Sequence, residues 1–160
     1  MKTFQIRPLA KGDKSWVSSL LTEYWGSPRI VTRGKSFQAD ELPGFVAMQA
    51  NKSVGLITYR IEGNECEIGS INSLVEGIGI GAAFVKAVKK AAKSARCHRL
   101  WLITTNDNTQ AFRFWQKQGF MLVAVYPNAV EKSRKLKPEI PLIGNDGIPI
   151  RDEIELEMLL

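Results

Sequence analysis

Ser70-Ile-Asn-Ser-Leu-Val-Glu-Gly-Ile-Gly-Ile-Gly-Ala82, running on without a break to Gly119-Phe120, decides the fold. It reads as a strand end, a glycine-rich turn, a helix, a strand, a polar turn, a second helix, a glycine and a further strand. Gly77, Gly79 and Gly81 mark the first helix start, where bare backbone N–H groups and the positive end of the helix dipole suit a phosphate. That helix is predicted over Gly79 to Arg96, with Ile80, Phe84, Ala87, Val88, Ala91 and Ala95 as its inward stripe. Leu100 to Thr104 is a short apolar run, predicted as a strand buried on both faces. Strand, helix, strand in this order implies a right-handed crossover and a locally parallel pair. Asn106-Asp-Asn108 offers caps for the second helix, and Gly119 suits the left-handed position that ends it before a strand from Phe120 to Tyr126.

Upstream, Lys2 to Arg7 alternates as a first strand, ended by Pro8. Asp13 can cap a helix running to about Trp25, with Trp16, Val17, Leu20, Leu21 and Tyr24 on its apolar side. Residues 26–43, punctuated by Gly26, Pro28, Gly34 and Pro43, read as loop. Gly44 to Ala50, Val54 to Ile61 and Glu65 to Asn72 read as strands, the last two joined by the turn Glu62-Gly63-Asn64, so the front of the sheet is antiparallel. Downstream, Pro127 to Pro149 reads as irregular and long enough to act as a lid or substrate wall. Ile150 to Met158 alternates as a half-exposed strand with Ile154, Leu156 and Met158 on its apolar side. The expected architecture is α/β (α+β): a single domain over residues 1–160 with a mixed, mostly antiparallel central sheet flanked by helices.

Composition removes several classes of function. Hydrophobic residues at 44% and charged residues at 24% are ordinary for a soluble chain that buries one core. No apolar run approaches the ~20 residues needed to cross a bilayer. The start, Met1-Lys-Thr-Phe-Gln-Ile-Arg-Pro8, lacks a signal-peptide core, so no membrane partner is expected. Cys66 and Cys97 have no metal-ligand spacing and read as buried free thiols, which fits a reducing cytoplasm. His98 is the only histidine, which argues against a histidine triad and a multi-histidine metal site; no metal is expected. The net charge of +6 gathers on Lys86, Lys89, Lys90, Lys93 and Arg96, and on Lys132, Arg134, Lys135 and Lys137. Such patches attract phosphates, but no recognition helix or aromatic RNA-binding strand motif accompanies them, so no nucleic-acid partner is expected. Exposed alternating strands near the C-terminus are compatible with a homodimer.

Gly77-x-Gly79-x-x-Ala82 formally matches the dinucleotide fingerprint. Its context argues otherwise: a hairpin meander precedes it, and the next strand ends in Thr104-Thr105 without an acidic residue. A P-loop fails because no Lys-Ser/Thr pair follows the glycines. A glycine-rich helix start followed about thirty residues on by Asn108-x-x-Ala111-x-x-x-Trp115-x-x-x-Gly119-Phe120 resembles the GNAT superfamily of acyl-CoA-dependent N-acyltransferases. The resemblance extends from the first strand to Tyr126 and is most specific over residues 65–120.

The resemblance implies a V-shaped cleft between the fourth and fifth strands, here the segments 65–72 and 100–104, with acetyl-CoA or coenzyme A as co-substrate. Backbone groups of Glu76, Gly77, Ile78, Gly79, Ile80, Gly81 and Ala82 would hold the pyrophosphate, with Glu76 standing where the family usually has Gln or Arg. Asn108 would contact the pantetheine arm, with Ala111 beside it, and the Ile71 backbone would serve that arm and the thioester oxygen. Trp115 stands where many members have a tyrosine that protonates the departing thiolate; indole has no such proton, so it packs against the acyl-pantetheine end or in the core. Tyr126 and Tyr59 are then the candidate acids; alternatively no protein acid is needed, since a coenzyme A thiolate is a tolerable leaving group near neutral pH. An attacking amine needs a base, and Glu65 and Glu67, which share parity on one strand on the same side as Ile71, are the candidates. The basic residues of 131–144 would suit an acidic substrate or the adenosine 3′-phosphate. The expected reaction is acetyl transfer to a primary amine of a small molecule or peptide; a CoA-binding module with little turnover is the alternative.

Overall fold

A computed structural model of the chain describes residues 3–160; the predicted strand start at Lys2 lies outside the described residues. The chain runs β1 (Gln5–Pro8), α1 (Lys14–Trp25), β2 (Arg29–Thr32), β3 (Lys35–Gln38), β4 (Gly44–Gln49), β5 (Lys52–Glu62), β6 (Glu65–Ser73), α2 (Ile80–Ser94), β7 (Arg99–Thr105), α3 (Thr109–Lys117), β8 (Met121–Tyr126), α4 (Ala129–Leu136) and β9 (Glu153–Leu159). Seven strands form one sheet in the order β1-β4-β5-β6-β7-β9-β8, with β2 and β3 apart as a hairpin. Every neighbouring pair in the large sheet is antiparallel except β6 and β7, the pair bridged by the α2 crossover. Within the large sheet β6 and β7 stand fourth and fifth, as the resemblance implies.

Each face of the sheet has its own cover. α2 buries Ile80, Phe84, Val85, Val88 and Ala92 against Ile57, Cys66, Ile68, Leu100 and Leu102. The predicted stripe is therefore displaced toward Val85 and Ala92, and Ala95 is exposed. On the other face Val17, Leu20 and Leu21 of α1 pack with Leu56 and Ala39. Tyr24, predicted on that apolar side, is instead half exposed. Asp13 stands at the start of α1, but its carboxylate takes the Arg7 guanidinium through two bonds and the Ala10 N–H rather than capping the helix.

Two segments expected to be irregular are structured. Residues 29–38 form the β2–β3 hairpin, because Arg33 and Gly34 both take positive φ (50° and 74°) at the two-residue turn, the geometry that suits strand twist. Within 127–149 lies α4, whose Arg134 donates to the carbonyls of Ile140, Pro141 and Ile150 and so fastens the segment that follows. The turn at Gly63 and the left-handed Gly119 are as predicted. Cys66 and Cys97 are buried free thiols, and burial pushes the Cys66 pKa up to about 12.

Candidate functional site

β6 and β7 pair only from Glu65↔Arg99 to Ile68↔Leu102. Beyond that point β6 stays paired to β5 as far as Ser73↔Gly55, and β7 stays paired to β9 as far as Thr105↔Glu153. Each strand is held on its outer side and the inner edges part, so among the described residues no strand pairs with β6 on its β7 side beyond Ile68. The parting begins at an irregularity. Ile68 pairs with Tyr59 and Ser70 with Thr58, so Gly69 is an extra residue, a bulge that turns the strand. A side chain there would press on Thr58 Oγ1 at 3.1 Å and Leu42 Cδ1 at 3.2 Å, which accounts for the glycine.

The open end of β6 leads into the glycine turn. Gly77 and Gly79 have φ of 78° and 90°, and a Cβ built on either meets nothing within 4 Å, so the turn is backbone presented to open space. Gly79 stands at the N-cap of α2 with no side-chain cap. Among the described residues, no protein acceptor takes the N–H groups of residues 75–79. A fifteen-residue helix thus points its uncapped N-terminus at the mouth of the cleft, a geometry suited to an anion. Gly81 differs: its φ is not positive, and a Cβ would come within 2.9 Å of the Phe114 ring, so its role is to let α3 approach α2.

Asn108 begins α3, where its Oδ1 accepts from the Ala111 N–H at 3.3 Å while its Nδ2 finds no protein acceptor among the described residues. Ala111 packs half-buried against the main core. Trp115 is 4% exposed, its ring edge-on to Phe114 and Phe120 at centroid distances of 4.9 and 5.0 Å. Of its two predicted roles, the structure supports core packing.

The face under α1 carries the charge. Residues 65 and 67 of β6, 99 and 101 of β7, and 153, 155 and 157 of β9 project to this side. The bulge overturns one expectation: Ile71 pairs with Ile57 and packs with the α2 core, so its side chain lies opposite Glu65 and Glu67, whereas Ser70 joins them. Glu67, Glu153 and Glu155 are buried. Arg99 donates to Glu65, Glu155 and Glu157, and this carboxylate surround holds its pKa above the ordinary guanidinium value despite burial. Arg60 bonds Glu67 at 3.0 Å and Glu62 at 2.7 Å. Thr32 donates to the other Glu67 oxygen at 3.2 Å. Burial raises the Glu67 pKa above the usual carboxylate value, with Arg60, Thr32 and Lys35 opposing the rise. A cavity of about 310 Å³ lies here, roofed by Thr32, Arg33 and Lys35 of the hairpin and floored by Glu67, Arg99 and Trp101.

Sequence reading missed Glu153, Glu155 and Glu157, taking β9 for half exposed and β7 for apolar on both faces. Glu155 accepts from Arg99, Arg33 and Tyr126, and Glu153 from Ser133 and the Arg33 N–H. The usable signal was acidic alternation facing a strand that begins with arginine, since buried carboxylates must be paired. Tyr126 donates its hydroxyl to Glu155 at 2.9 Å, and burial together with that bond raises its pKa. Tyr59 stacks on Phe45, and burial raises its pKa as well. Near the open end, Trp25 Nε1 donates to Asn72 Oδ1 at 3.0 Å. Glu76 is exposed on the turn.

Residues 14–120 match the model of the acetyltransferase (GNAT) family. The chain is 47% identical over 142 residues to the uncharacterized protein YdhI of Bacillus subtilis (strain 168), covering 88% of this chain and 89% of that one. Its fold resembles that of an IAA acetyltransferase from Bacillus cereus ATCC 14579 (TM-score 0.75, 21% identity, 98% and 99% of the two chains). It likewise resembles a GNAT family acetyltransferase from Elizabethkingia anophelis solved with acetyl-CoA bound (TM-score 0.72, 22% identity, 100% of both chains). The chain belongs to the GNAT acetyltransferase family.

Proposed function

We propose that this GNAT acetyltransferase moves the acetyl group of acetyl-CoA to a primary amine by direct attack, through one domain spanning residues 1–160. The observation that carries this reading is the parted β6–β7 pair leading into an uncapped helix start at Gly77–Gly79. The residues present fit the co-substrate. The free N–H groups of the turn would take the pyrophosphate, the Asn108 Nδ2 and the unpaired β6 edge around Ile71 would take the pantetheine arm, and that same edge would donate to the thioester oxygen.

Of the two candidate bases, Glu67 is the better suited. It is buried, its pKa is raised toward working pH, and it lies beside the point where the strands part. Glu65 instead belongs to the Arg99 cluster. In the step proposed, the amine nitrogen attacks the acetyl carbonyl carbon, its proton passes to Glu67 directly or through one water, and the C–S bond breaks. The thiolate leaves without an acid from Trp115, and the Tyr126 hydroxyl stays hydrogen-bonded to the Glu155 carboxylate. A thiolate of pKa about 8.5 is a tolerable leaving group near neutral pH.

The free thiols suit a cytoplasmic location, and no helix among the described residues is long and apolar enough to cross a membrane. β8 forms a free sheet edge, Met121-Leu-Val-Ala-Val-Tyr126, with no charge along it and four exposed apolar side chains, and the natural cover for such an edge is a second copy. Calorimetric titration with acetyl-CoA, followed by mass detection of acetylated product across an amine panel, tests the function. Saturable binding with product supports it. Binding without product from any amine favours a CoA-binding module, and no binding by a folded sample removes the transferase reading.

A further inference from the structure

α1 ends beside the open half of β6, and one side-chain pair joins them. Trp25 is the last residue of α1, and Gly26 turns the chain away from it with a left-handed φ of 83°. The indole Nε1 donates to Asn72 Oδ1 at 3.0 Å, across 47 positions of sequence. Asn72 pairs with Leu56, whose side chain packs with α1, so it stands on the same face as Glu67 and Ser70. It lies beyond Ile68, where β6 has left β7. An indole N–H can only donate, so this bond settles which end of the amide faces α1. The Nδ2 end is left over. Among the described residues it has no protein acceptor, and it is not sealed from solvent.

The donor is therefore oriented, free and placed on the face from which an acceptor would come. Trp25 is 45% exposed, so a flat apolar surface lies next to that donor. A planar amide matches the two together, since its faces can lie on an indole while its carbonyl oxygen accepts at the edge. Asn72 directly follows Ile71, whose backbone edge is proposed to meet the thioester, so an oxygen held at Nδ2 belongs to a group close to the attacking nitrogen. Glu67 lies on the same face toward the paired end of β6 and Asn72 toward its open end, so the acceptor would lie along the strand between base and donor. Resting on the transferase reading above, we infer that the acceptor is an amino amide, peptide-like rather than a plain alkylamine, whose carbonyl oxygen is bound by Asn72 Nδ2 within a few bonds of the reacting amine. Trp25 is the positioning residue that holds the Asn72 amide in the donating orientation.

Asn72→Asp separates this role from a purely structural tie, because aspartate still accepts from Trp25 Nε1 but offers no donor. The acetylation assay compares 3-aminopropanamide with n-butylamine, and the ratio of their kcat/KM values cancels whatever a variant does to both. The wild type is expected to prefer the amide. The ratio should fall about fivefold in Asn72→Ala, the size of one neutral hydrogen bond, and about tenfold in Asn72→Asp, which sets a carboxylate against the carbonyl. Trp25→Phe should lower it about threefold, through KM for the amide with kcat unchanged, because a ring remains while the Asn72 amide is free to turn. Melting temperature and acetyl-CoA affinity should hold in Asn72→Asp. An unchanged ratio in both Asn72 variants, or a wild type that prefers butylamine, overturns the inference while leaving the transferase reading intact. Should neither amine be turned over, calorimetric titration with 3-aminopropanamide, with and without coenzyme A, reads the contact directly. Binding weakened about fivefold or more in Asn72→Asp supports it, and equal binding by both proteins, or none by the wild type, overturns it. Failure of the folded wild type to bind acetyl-CoA strikes the transferase reading, and the titration without coenzyme A then decides the Asn72 contact.

Discussion

Glu67→Gln separates chemistry from structure at one position. Glu67 is 3% exposed, with Arg60 Nη2 on one oxygen and the Thr32 hydroxyl on the other. Glutamine keeps the shape: its carbonyl can accept from Arg60, and its amide can donate to the threonine oxygen. The charge-assisted bond weakens, but the cost of holding a desolvated carboxylate disappears, so the net stability change should stay within about 1 kcal/mol, or about 2–4 °C in Tm for a chain of this size. Loss of a general base costs about 10²–10⁴ in kcat, or roughly 3–5 kcal/mol of transition-state stabilisation.

The pH dependence has a definite sign. The folded-state pKa of Glu67 is raised above its unfolded value, so the stability it contributes is full below the unfolded pKa and is lost as pH rises through the folded pKa. The glutamine variant should therefore gain on the wild type between pH 4 and pH 7. Its kcat/KM profile should also lose the acid limb that titrates above the ordinary glutamate value near 4.3. Stopped-time thiol release across pH, beside thermal unfolding at pH 4 and pH 7, reads both effects. Glu65→Gln is the control, since Arg99 retains Glu155 and Glu157, and its kcat should fall by less than about tenfold. A glutamine variant at 67 that keeps more than a tenth of wild-type kcat, or one less damaging than its counterpart at 65, refutes the assignment.

Gly79→Ala should cost about 1–2 kcal/mol through its positive φ alone, because the added methyl meets nothing, yet acetyl-CoA affinity measured by calorimetry should drop more than tenfold as the methyl enters the anion cradle. Asp107→Ala should lower Tm by about 5–12 °C in calorimetric scans. Its buried carboxylate accepts from Thr105 Oγ1 at 2.5 Å and from the Asn145 N–H and Nδ2 at 3.0 and 3.1 Å, and losing bonds to such a charged group costs about 2–4 kcal/mol. Val125→Lys on the free edge should give a monomer mass by light scattering where the wild type gives a dimer; a monomeric wild type refutes the edge pairing.

A feature of this fold is legible in the residues alone when its cause is local. Gly77, Gly79 and Gly119 are readable because left-handed backbone favours glycine wherever it occurs, and the α2 helix because its stripe repeats within its own length. The hairpin at 29–38 is harder to see, since its turn is Arg33-Gly34 and its strands are only four residues each. The buried glutamates of β9 are harder still. Glu153 and Glu155 alternate as a solvent-facing row would, and only the placement of Arg99, Arg33 and Ser133 from elsewhere in the chain makes their burial tolerable. Trp115 is ambiguous in sequence because helical spacing cannot distinguish a cleft wall from a core, whereas its edge contacts with Phe114 and Phe120 do.

Gly69 holds the least visible and most consequential information. An unbroken β6 would place Glu67 and Ile71 on one face, with base and thioester side by side on the strand. The extra residue reverses the alternation, so that Glu67, Ser70 and Asn72 line the α1 face while Ile71 remains with the α2 core. The same residue lies where β6 leaves β7. The side chains able to manage an amine and the helix start able to hold a pyrophosphate thus come to lie on opposite sides of a sheet that opens at that point. Two substrates approaching from opposite faces can then meet only through the gap. That arrangement requires the glycine for its close contacts with Thr58 and Leu42, and a larger residue at 69 should impair turnover before it impairs acetyl-CoA binding.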